Sequence, residues 1–324
     1  MTHAVRIHAY GDADVLRWEA MDVGRPGAGE VLLRQTACGL NYIDVYQRTG
    51  LYPAGDLPAV LGMEAAGVVE AVGEGVSDWS VGDRVAYPMC QGAYAEVRII
   101  AADKLVRLPD SISDAQAAAM MLKGLTAHYL LFRSYPVQAG DDILVYAAAG
   151  GVGLLLCQWA KHLGATVIGC VGSPAKAELA RANGCDHTIL YREENIPSMV
   201  RELTGGVGVA AAYDSIGKAT FMDSLDSLRP FGVMVSYGNA SGPVEPFNPA
   251  ILAPKGSLYV TRPTLATHIA TRELLEEGAE RLFSAVTDGL LRVQINQRYA
   301  LSDTGQAHRD LEARKTTGST VLLC

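Results

Sequence analysis

The stretch from residue 140 to residue 164 constrains the fold more than any other part of the chain. A short apolar run of strand length, Ile143 to Ala147, leads into a glycine-rich turn. Beyond the turn, apolar residues recur at the three-and-four spacing of one helix face until Gly164 ends the pattern. The apolar positions are Val152, Leu155, Leu156, Trp159, Ala160 and Leu163. The stretch therefore predicts a strand, a tight turn and an amphipathic helix, which together form a βα unit.

The glycines of this turn indicate what the bend can bind. Gly150 and Gly153 follow the spacing of the G-x-G-x-x-G fingerprint, with Ala148 in place of its first glycine. Glycine there lets backbone N–H groups at a helix N-terminus approach a pyrophosphate, whose charge the helix dipole also favours. The alternative is a tight turn without a ligand, as in any α/β protein. The strand before, the helix after and a further predicted strand at 166–171 favour the dinucleotide.

Length, charge and hydropathy narrow the class of protein. A chain of 324 residues is longer than one ordinary core and predicts two domains. The net charge of −8 argues against nucleic acid as the main partner. No apolar run has the length of a membrane span, and the N-terminus lacks a signal-peptide core, so we expect a cytoplasmic protein without a membrane partner.

Cysteine and histidine spacing predicts no metal site. The six cysteines include no C-x-x-C pair, and the seven histidines form neither H-x-H nor H-E-x-x-H. Most cysteines lie in apolar strands or helices, which predicts reduced and buried thiols.

The pattern of turns and apolar runs divides the chain into parts of different secondary structure. Up to about Val106, short strand-like runs separated by glycine-rich turns predict a small, mostly β domain. The predicted strands of this part are 5–8, 31–37, 67–72, 84–87 and 94–99. Two helices are then predicted, Asp114 to Leu122 and Leu125 to Arg133. Strands alternating with helices follow, which predicts an α/β, doubly wound parallel sheet of about six strands. The predicted strands of this part are 143–147, 166–171, 188–191, 209–214, 232–237 and 257–261.

Beyond Pro263 the pattern changes again. The sequence predicts a long helix from Thr271 to Thr287, a strand around Val293, a helix at 304–313 and a strand at 320–323. These elements do not extend a six-stranded sheet naturally. We therefore expect them to return to the β domain.

The end of the second parallel strand indicates the cofactor. NAD-binding sheets usually place an Asp or Glu about twenty residues after the glycines, on the ribose 2′-hydroxyl. Here the strand ends in Gly172 and Ser173 with no carboxylate. Ser173 is the predicted cap of the next helix, Lys176 lies at the opening of that helix, and Tyr191 follows the third strand. A hydroxyl, a cation and a phenol suit a 2′-phosphate, because charge-assisted bonds are strong. The pattern favours NADPH over NADH; taken alone, Lys176 is more typical of a solvated helix lysine, but the three groups together favour the phosphate.

At this point the residues match a family. Gly140, Asp141, Leu144, the segment 148–153, Gln158 and Lys161 resemble the quinone oxidoreductase signature of the zinc-free medium-chain dehydrogenases. Six further segments resemble bacterial NADPH:quinone reductases related to ζ-crystallin, and together they span the chain. They are 41–44, 48–53, 62–64, 92–96, 123–126 and 259–263.

The resemblance implies a domain arrangement. A GroES-like β domain would be formed by residues 1–124 and completed by 265–324, and an NADP-binding Rossmann domain would occupy 125–264. The positions that hold zinc in metal-dependent relatives align with Asn41, Met63 and Lys123. None of these is the thiolate or imidazole that zinc requires, so we expect an enzyme without metal.

The resemblance also implies the site residues. Asn41, Tyr52 and Thr126 would lie near the nicotinamide, and Tyr237, Gly238 and Asn239 would close over the cofactor. The remaining cofactor contacts would come from Gly150, Gly151, Val152, Gly153, Gly172, Ser173, Lys176, Tyr191 and Arg314. For Tyr52 and Tyr237 ordinary packing is the alternative, and for Arg314 a surface charge.

The predicted activity is NADPH-dependent reduction of quinones. Charge that develops on a quinone oxygen needs hydrogen-bond donors, and Asn41, Tyr46, Tyr52 and Lys123 are the candidates that orient the acceptor. Reduction of the double bond of an α,β-unsaturated carbonyl (an enone) is the alternative enzyme activity. A cofactor-binding structural or RNA-binding role is the alternative from another class, although the acidic charge weighs against RNA.

The last predicted parallel strand indicates assembly. Ser257 to Thr261 is β-branched and aromatic, and at the end of the sheet it would leave an exposed edge. Pairing with a second copy would cover this edge, as the family does, so we expect a homodimer.

Overall fold

The computed structural model describes residues 2–324 and divides into two compact units. The first unit comprises the chain up to Leu125 together with Ile269–Thr287 and Val293–Cys324. The second unit comprises Thr126–His268 and Asp288–Arg292.

The strands are numbered in chain order. They are β1 (Thr2–Ile7), β2 (Arg17–Met21), β3 (Glu30–Leu40), β4 (Ala59–Val60), β5 (Glu64–Val72), β6 (Arg84–Pro88), β7 (Val97–Ala101), β8 (Val106–Arg107), β9 (Asp142–Tyr146), β10 (Thr166–Val171), β11 (His187–Leu190), β12 (Val209–Asp214), β13 (Leu228–Ser236), β14 (Tyr259–Thr261), β15 (Ile295–Ala300) and β16 (Ser319–Leu323).

The α-helices are numbered in the same way. They are α1 (Tyr42–Thr49), α2 (Asp114–Tyr129), α3 (Gly151–His162), α4 (Pro174–Arg181), α5 (Ile196–Leu203), α6 (Phe221–Ser227), α7 (Leu265–His268), α8 (Arg272–Thr287) and α9 (Thr304–Glu312).

The second unit is built on a parallel sheet in the order β11-β10-β9-β12-β13-β14. Its strands are apolar on both faces, and every residue of β12 is buried, as expected for a parallel sheet covered by helices. The order reverses between β9 and β12, and in such sheets ligands bind beyond the carboxyl ends of the strands at this point. The predicted doubly wound sheet of six strands is confirmed.

The first unit contains the mostly β part of the chain. One sheet has the order β15-β16-β3-β5-β6-β8, with β7 also paired to β3, and a smaller sheet has the order β2-β1-β4. Because β16 pairs antiparallel with β3, the end of the chain joins the sheet that its beginning forms. Leu33, Leu61, Tyr87 and Leu322 lie in the buried core of this unit.

The prediction of two helices around residue 124 is wrong. The structure has one continuous helix, α2, which passes through Gly124 and ends in a π-helical turn at Leu130–Ser134. A Cβ atom on Gly124 would lie 2.5 Å from Cδ1 of Leu282 on α8. Glycine therefore provides room for α8 to pack closely and does not end the helix.

Several strand boundaries also differ from the prediction; β5 begins at Glu64 and β13 at Leu228, each earlier than predicted. The strand predicted at Tyr94 to Ile99 begins at Val97, because Tyr94 donates its backbone N–H to Leu61. The strand predicted around Val293 is β15, which begins at Ile295. Within residues 2–324, no helix has the length and apolar character needed to cross a bilayer.

Candidate functional site

Two side chains and one backbone N–H group converge on Glu64 in the first unit. Its Oε1 accepts hydrogen bonds from Asn41 Nδ2 at 2.8 Å and from Lys123 Nζ at 2.7 Å. Its Oε2 accepts the backbone N–H of Leu122 at 2.6 Å. Glu64 is fully buried, Asn41 and Lys123 nearly so, and a buried carboxylate requires such partners. The structure therefore brings the predicted residues Asn41 and Lys123 together around one carboxylate.

The start of α1 fixes the backbone of Asn41. Asn41 precedes the helix, and its backbone N–H donates to Oδ2 of Asp44 at 2.8 Å. Burial raises the pKa of Asp44 to about 7, although the hydrogen bonds from Tyr94 and Asn41 and the charge of Lys123 act in the opposite direction. The position of Asn41 thus depends on two buried carboxyl groups, those of Glu64 and Asp44.

A hydrogen-bonded chain leads from Asp44 to the surface of the same unit. Tyr94 donates its hydroxyl to Asp44 Oδ2 at 2.7 Å and lies 3.3 Å from Nε2 of His308. Nδ1 of His308 is 3.2 Å from Arg48, whose guanidinium holds both carboxylate oxygens of Glu312 at 2.8 Å. Burial and the Arg48 charge lower the pKa of His308 to about 3, so its imidazole is neutral.

The predicted residues Tyr46 and Tyr52 lie in an aromatic group. Their rings meet edge to face with centroids 5.2 Å apart, and the ring of Tyr42 lies 6.0 Å from that of Tyr46. The backbone N–H of Tyr52 donates to the carbonyl of Tyr46 at 3.0 Å, which fixes the chain that leaves α1. Edge-to-face pairs of this kind stabilise one another beyond the area they bury.

The donor set at the aligned zinc positions does not fit zinc. Asn41, Met63 and Lys123 are all buried and offer an amide, a thioether and an ammonium. Zinc requires thiolate, imidazole or carboxylate ligands, and the ammonium of Lys123 repels a cation from Glu64. In the described part of the chain, no cluster of three or more Cys, His, Asp and Glu residues has a geometry that could hold a metal ion.

The glycine turn of the second unit has the shape that a pyrophosphate needs. Gly150 is the N-cap of α3, and Gly151, Val152 and Gly153 form the first turn of that helix. A Cβ on Gly153 would lie 2.3 Å from the carbonyl oxygen of Ala147, so only glycine lets the helix approach the end of β9 this closely. The turn therefore presents backbone N–H groups without a side chain in front of them.

The residues predicted for the 2′-phosphate lie at the ends of β10 and β11 and at the start of α4. Ser173 caps α4 by accepting the backbone N–H of Lys176 at 3.4 Å. A Cβ on Gly172 would lie 2.8 Å from the hydroxyl of Tyr191, so this glycine makes room for the phenol. The guanidinium of Arg192 lies over the ring of Tyr191, 5.9 Å from its centroid.

Tyr237, Gly238 and Asn239 directly follow β13. The backbone N–H of Tyr237 donates to the carbonyl of Asp214 at 2.8 Å, and burial raises the pKa of the Tyr237 hydroxyl. A Cβ on Gly238 would lie 2.4 Å from the carbonyl oxygen of Ser215. The segment after β13 is thus held against the segment after β12, at the carboxyl ends of both strands.

The two remaining predicted residues are Thr126 and Arg314. Thr126 is buried in α2 within the second unit. Arg314 is exposed in the first unit, one residue after the C-cap of α9, where its φ of 59° is in the left-handed region.

Sequence reasoning did not assign roles to several buried polar residues. Asp214, at the end of β12, accepts hydrogen bonds from the backbone of Ile216 and Gly217 and from the hydroxyls of Thr220 and Ser224. Glu64 and Asp44 lie in the motifs 62–64 and 41–44, which were the available signal. Nothing in the sequence links Tyr94 with His308, because 214 positions separate them.

An open groove of about 780 Å³ also lies in the first unit. It runs between Trp79 and α8 and is lined by Arg107, Arg272 and Phe283. Its lining includes none of the predicted site residues, and its charged walls carry both signs. The groove is therefore separate from the polar cluster around Glu64.

Two known families match different parts of the chain. Residues 27–110 match the alcohol dehydrogenase GroES-like domain, and residues 151–280 match the family described as zinc-binding dehydrogenase. Together with the parallel sheet and its glycine turn, these matches define an oxidoreductase of the alcohol dehydrogenase type.

Full-length relatives narrow the class. A quinone oxidoreductase of Pseudomonas aeruginosa is 52% identical over 100% of both chains. A 2-haloacrylate reductase of Burkholderia is 46% identical over 100% of this chain and 99% of the relative. The structure of Escherichia coli quinone oxidoreductase complexed with NADPH superposes with a TM-score of 0.97, at 46% identity, over 99% of this chain and 100% of that one. The chain belongs to the quinone oxidoreductase family.

Proposed function

We propose that the protein reduces quinones with NADPH and does so without zinc. The observation that carries this proposal is the cluster of Asn41, Lys123 and Glu64, which offers hydrogen-bond donors where metal-dependent relatives hold a metal. Full-length identity to quinone oxidoreductases and similarity to one complexed with NADPH support the activity and the cofactor. We propose residues 1–124 and 265–324 as the catalytic domain and 125–264 as the NADP-binding domain.

The second unit would hold the cofactor. The backbone of Gly150–Gly153 suits the pyrophosphate, and Ser173, Lys176 and Tyr191 suit the adenosine ribose and its 2′-phosphate. When bound, NADPH would supply the hydride from its nicotinamide ring. The chain's own task is to orient that ring, for which Asn41, Tyr52 and Thr126 are the proposed contacts.

The donors of the first unit would stabilise charge on the acceptor. An ammonium carries three N–H donors, so Lys123 can hold Glu64 and an acceptor oxygen at once. The second N–H of the Asn41 amide makes only a long bond, 3.4 Å, to the carbonyl oxygen of Gly39, and an acceptor oxygen would replace that bond. Donors fixed in a dry site stabilise a developing oxyanion without reorganising. Tyr46 and Tyr52 offer rings and hydroxyls to orient a flat acceptor.

A second candidate activity is reduction of the carbon–carbon double bond of an enone. The 46% identity to a 2-haloacrylate reductase favours it. The same donors would hold the carbonyl or carboxylate oxygen, while the hydride would go to the β-carbon.

Oxidation of NADPH by the purified protein distinguishes these activities. The protein is treated with a chelator and assayed with 1,4-benzoquinone, a 2-alkenal and 2-chloroacrylate, with NADH as the control cofactor. Faster turnover of the quinone with NADPH supports the main proposal. A preference for the unsaturated acids or aldehydes supports the second activity. Loss of turnover on chelation contradicts the proposal that no metal takes part, and tight NADPH binding without turnover favours a binding protein.

The proposed assembly is a homodimer through β14. This strand is the edge of the parallel sheet, and Tyr259 on it is 59% exposed. Pairing with a second copy would cover that edge. We further propose a cytoplasmic protein that does not bind nucleic acid as its main partner, in line with the net charge of −8. Sedimentation should give a dimer at micromolar concentration, and a monomer alone at that concentration would contradict the proposal.

A further inference from the structure

We propose that Cys38 and Cys324 form a peroxide-dependent, reversible disulfide, a modification site separate from the reduction chemistry. Their Sγ atoms lie 3.6 Å apart in the first unit. No disulfide links them in the structure, where both are free thiols. The bond would join the last residue of the chain to β3, three residues before Asn41.

The register of the sheet brings the two sulfurs to one face. β16 pairs antiparallel with β3, and Leu322 lies opposite Cys38. Because side chains alternate along a strand, Cys324 projects to the same face as Leu322 and is the diagonal neighbour of Cys38. The backbone N–H of Cys324 donates to the carbonyl of Thr36 at 3.3 Å, so this position is held by the ladder.

The two thiols differ in access, which assigns them different parts in the reaction. Cys324 is exposed and can meet a peroxide in solution, whereas Cys38 is fully buried. Sγ of Cys38 donates to the carbonyl of Ala93 at 2.7 Å, and burial raises its pKa, while the charge of Arg98 lowers it. Cys324 is therefore oxidised first, and Cys38 is the residue that resolves the product.

The reaction balances with hydrogen peroxide as the oxidant. In the first step an S–O bond forms at Cys324, the O–O bond breaks, and one water leaves, which gives a sulfenic acid. In the second step Sγ of Cys38 attacks Sγ of Cys324; the S–S bond forms, the S–O bond breaks, and the departing hydroxide takes the proton of the Cys38 thiol. Two thiols lose two electrons, and one peroxide becomes two waters. The poor nucleophilicity of a buried thiol is offset because its target is already in contact.

The diagonal register makes the bond reversible. A disulfide requires the sulfurs to close from 3.6 Å to about 2.05 Å, and diagonal neighbours have more distant Cβ atoms than directly opposite residues. The end of β16 must therefore shift toward β3. Disulfides that need such a shift are more readily reduced, so a dithiol should restore both thiols.

A second cysteine pair provides a control inside the same molecule. Cys157 and Cys185 in the second unit have Sγ atoms 3.4 Å apart, closer than the proposed pair. Both are buried, so neither thiol is open to peroxide. Distance alone would favour oxidation of this pair, whereas access favours Cys38 and Cys324.

The test is peptide mapping after exposure of the reduced protein to hydrogen peroxide. Remaining thiols are alkylated in denaturant without reductant, and the protein is digested with trypsin. The expected product is a peptide of residues 35–48 linked to residues 316–324, lighter by two hydrogens than the sum of its parts. Dithiothreitol should release the two peptides. Residues 134–161 and 182–192, which carry Cys157 and Cys185, should remain alkylated.

Variants complete the test. In C38S, Cys324 should accumulate sulfenic and sulfinic acid because no thiol resolves it. In C324S, Cys38 should remain a thiol in peroxide and should be alkylated afterwards. C157S should form the 38–324 link as the unchanged protein does. Four results would overturn the proposal: a Cys324 sulfinic acid with Cys38 still alkylated, a link between two copies of Cys324, equal formation of the 157–185 link, or a link that dithiothreitol does not open.

Discussion

The Nζ atom of Lys123 lies 2.7 Å from Oε1 of Glu64, and neither side chain reaches solvent appreciably. An ion pair buried in this way depends on both partners, because removing one leaves an uncompensated charge in a medium of low polarity. The same carboxylate oxygen also accepts the amide of Asn41 at 2.8 Å. Glu64 therefore holds in place Asn41 and Lys123, the two donors proposed to bind the acceptor.

Substitution of Glu64 should affect stability and activity together. In E64Q the ammonium of Lys123 loses its counter-charge, and we expect unfolding to become easier by about 3 to 5 kcal/mol. Since both donors lose their common anchor, kcat with a quinone should fall more than KM rises. Urea unfolding and steady-state kinetics measure the two effects.

A double substitution separates charge from packing. In E64Q/K123M both charges are gone, so the double variant should recover most of the stability lost in E64Q but none of the activity. If E64Q alone is as stable as the unchanged protein, or if the double variant is active, Glu64 does not hold the site as described.

Lys176 should determine the preference for NADPH. Loss of one charge-assisted bond to a 2′-phosphate costs roughly 1.5 to 3 kcal/mol, so KM for NADPH should rise roughly 10- to 100-fold in K176A. KM for NADH, which lacks that phosphate, should stay the same. Steady-state kinetics with both cofactors measures the preference.

Lys161 provides the matched control for this substitution. It lies at the opposite end of α3 from the glycine turn and pairs with Asp186 on the surface. K161A should leave both KM values unchanged. An unchanged cofactor preference in K176A would show that Lys176 does not bind the 2′-phosphate.

The sequence predicted the parallel sheet well because its signals are local. The run Ile143 to Ala147, the glycine turn and the apolar helix face each depend on residues close in the chain. Ser173 was predicted as a cap for the same reason, and the structure confirms it. The prediction of two helices on either side of Gly124 was wrong because the reason for this glycine lies far away in the chain. It makes room for Leu282 on α8 and does not end a helix.

The buried polar chain of the first unit could not be predicted in the same way. Asp44 and Tyr94 are 50 positions apart, and Tyr94 and His308 are 214 apart. No periodicity connects such residues, because they lie on α1, on the segment before β7 and on α9, which meet only in the folded first unit. Resemblance to a family named Asn41 and Lys123 but not the carboxylate that holds them together.

Gly153 should tolerate no side chain. In G153A the new Cβ would lie 2.3 Å from the carbonyl oxygen of Ala147, and relief of this clash requires α3 to move away from β9. We expect a loss of roughly 1 to 3 kcal/mol of stability and a clear loss of NADPH affinity. In G150A the Cβ would lie 3.1 Å from the same oxygen, so the effects should be smaller. Thermal unfolding and NADPH titration by fluorescence test this order; equal effects would contradict it.

Asp44 and His308 should give the protein two opposing pH dependences. The folded-state pKa of Asp44 is raised from 3.8 to about 7, so its contribution is fully present below pH 3.8 and is lost as the pH rises toward 7. The pKa of His308 is lowered from 6.5 to about 3, so its contribution is fully present above pH 6.5 and is lost as the pH falls toward 3. Each shift corresponds to about 4 to 5 kcal/mol. Between pH 3.8 and 6.5 the two slopes cancel.

Each single substitution should therefore leave only the pH dependence of stability that the other residue causes. Between about pH 4.5 and about pH 6.5, D44N should become more stable as the pH rises, because only His308 still titrates, and H308Q should become less stable. The unchanged protein should vary least. Urea midpoints of the three proteins across this window measure the slopes. Parallel curves for D44N and H308Q would show that the buried chain from Asp44 through Tyr94 to His308 does not control the pH dependence of stability.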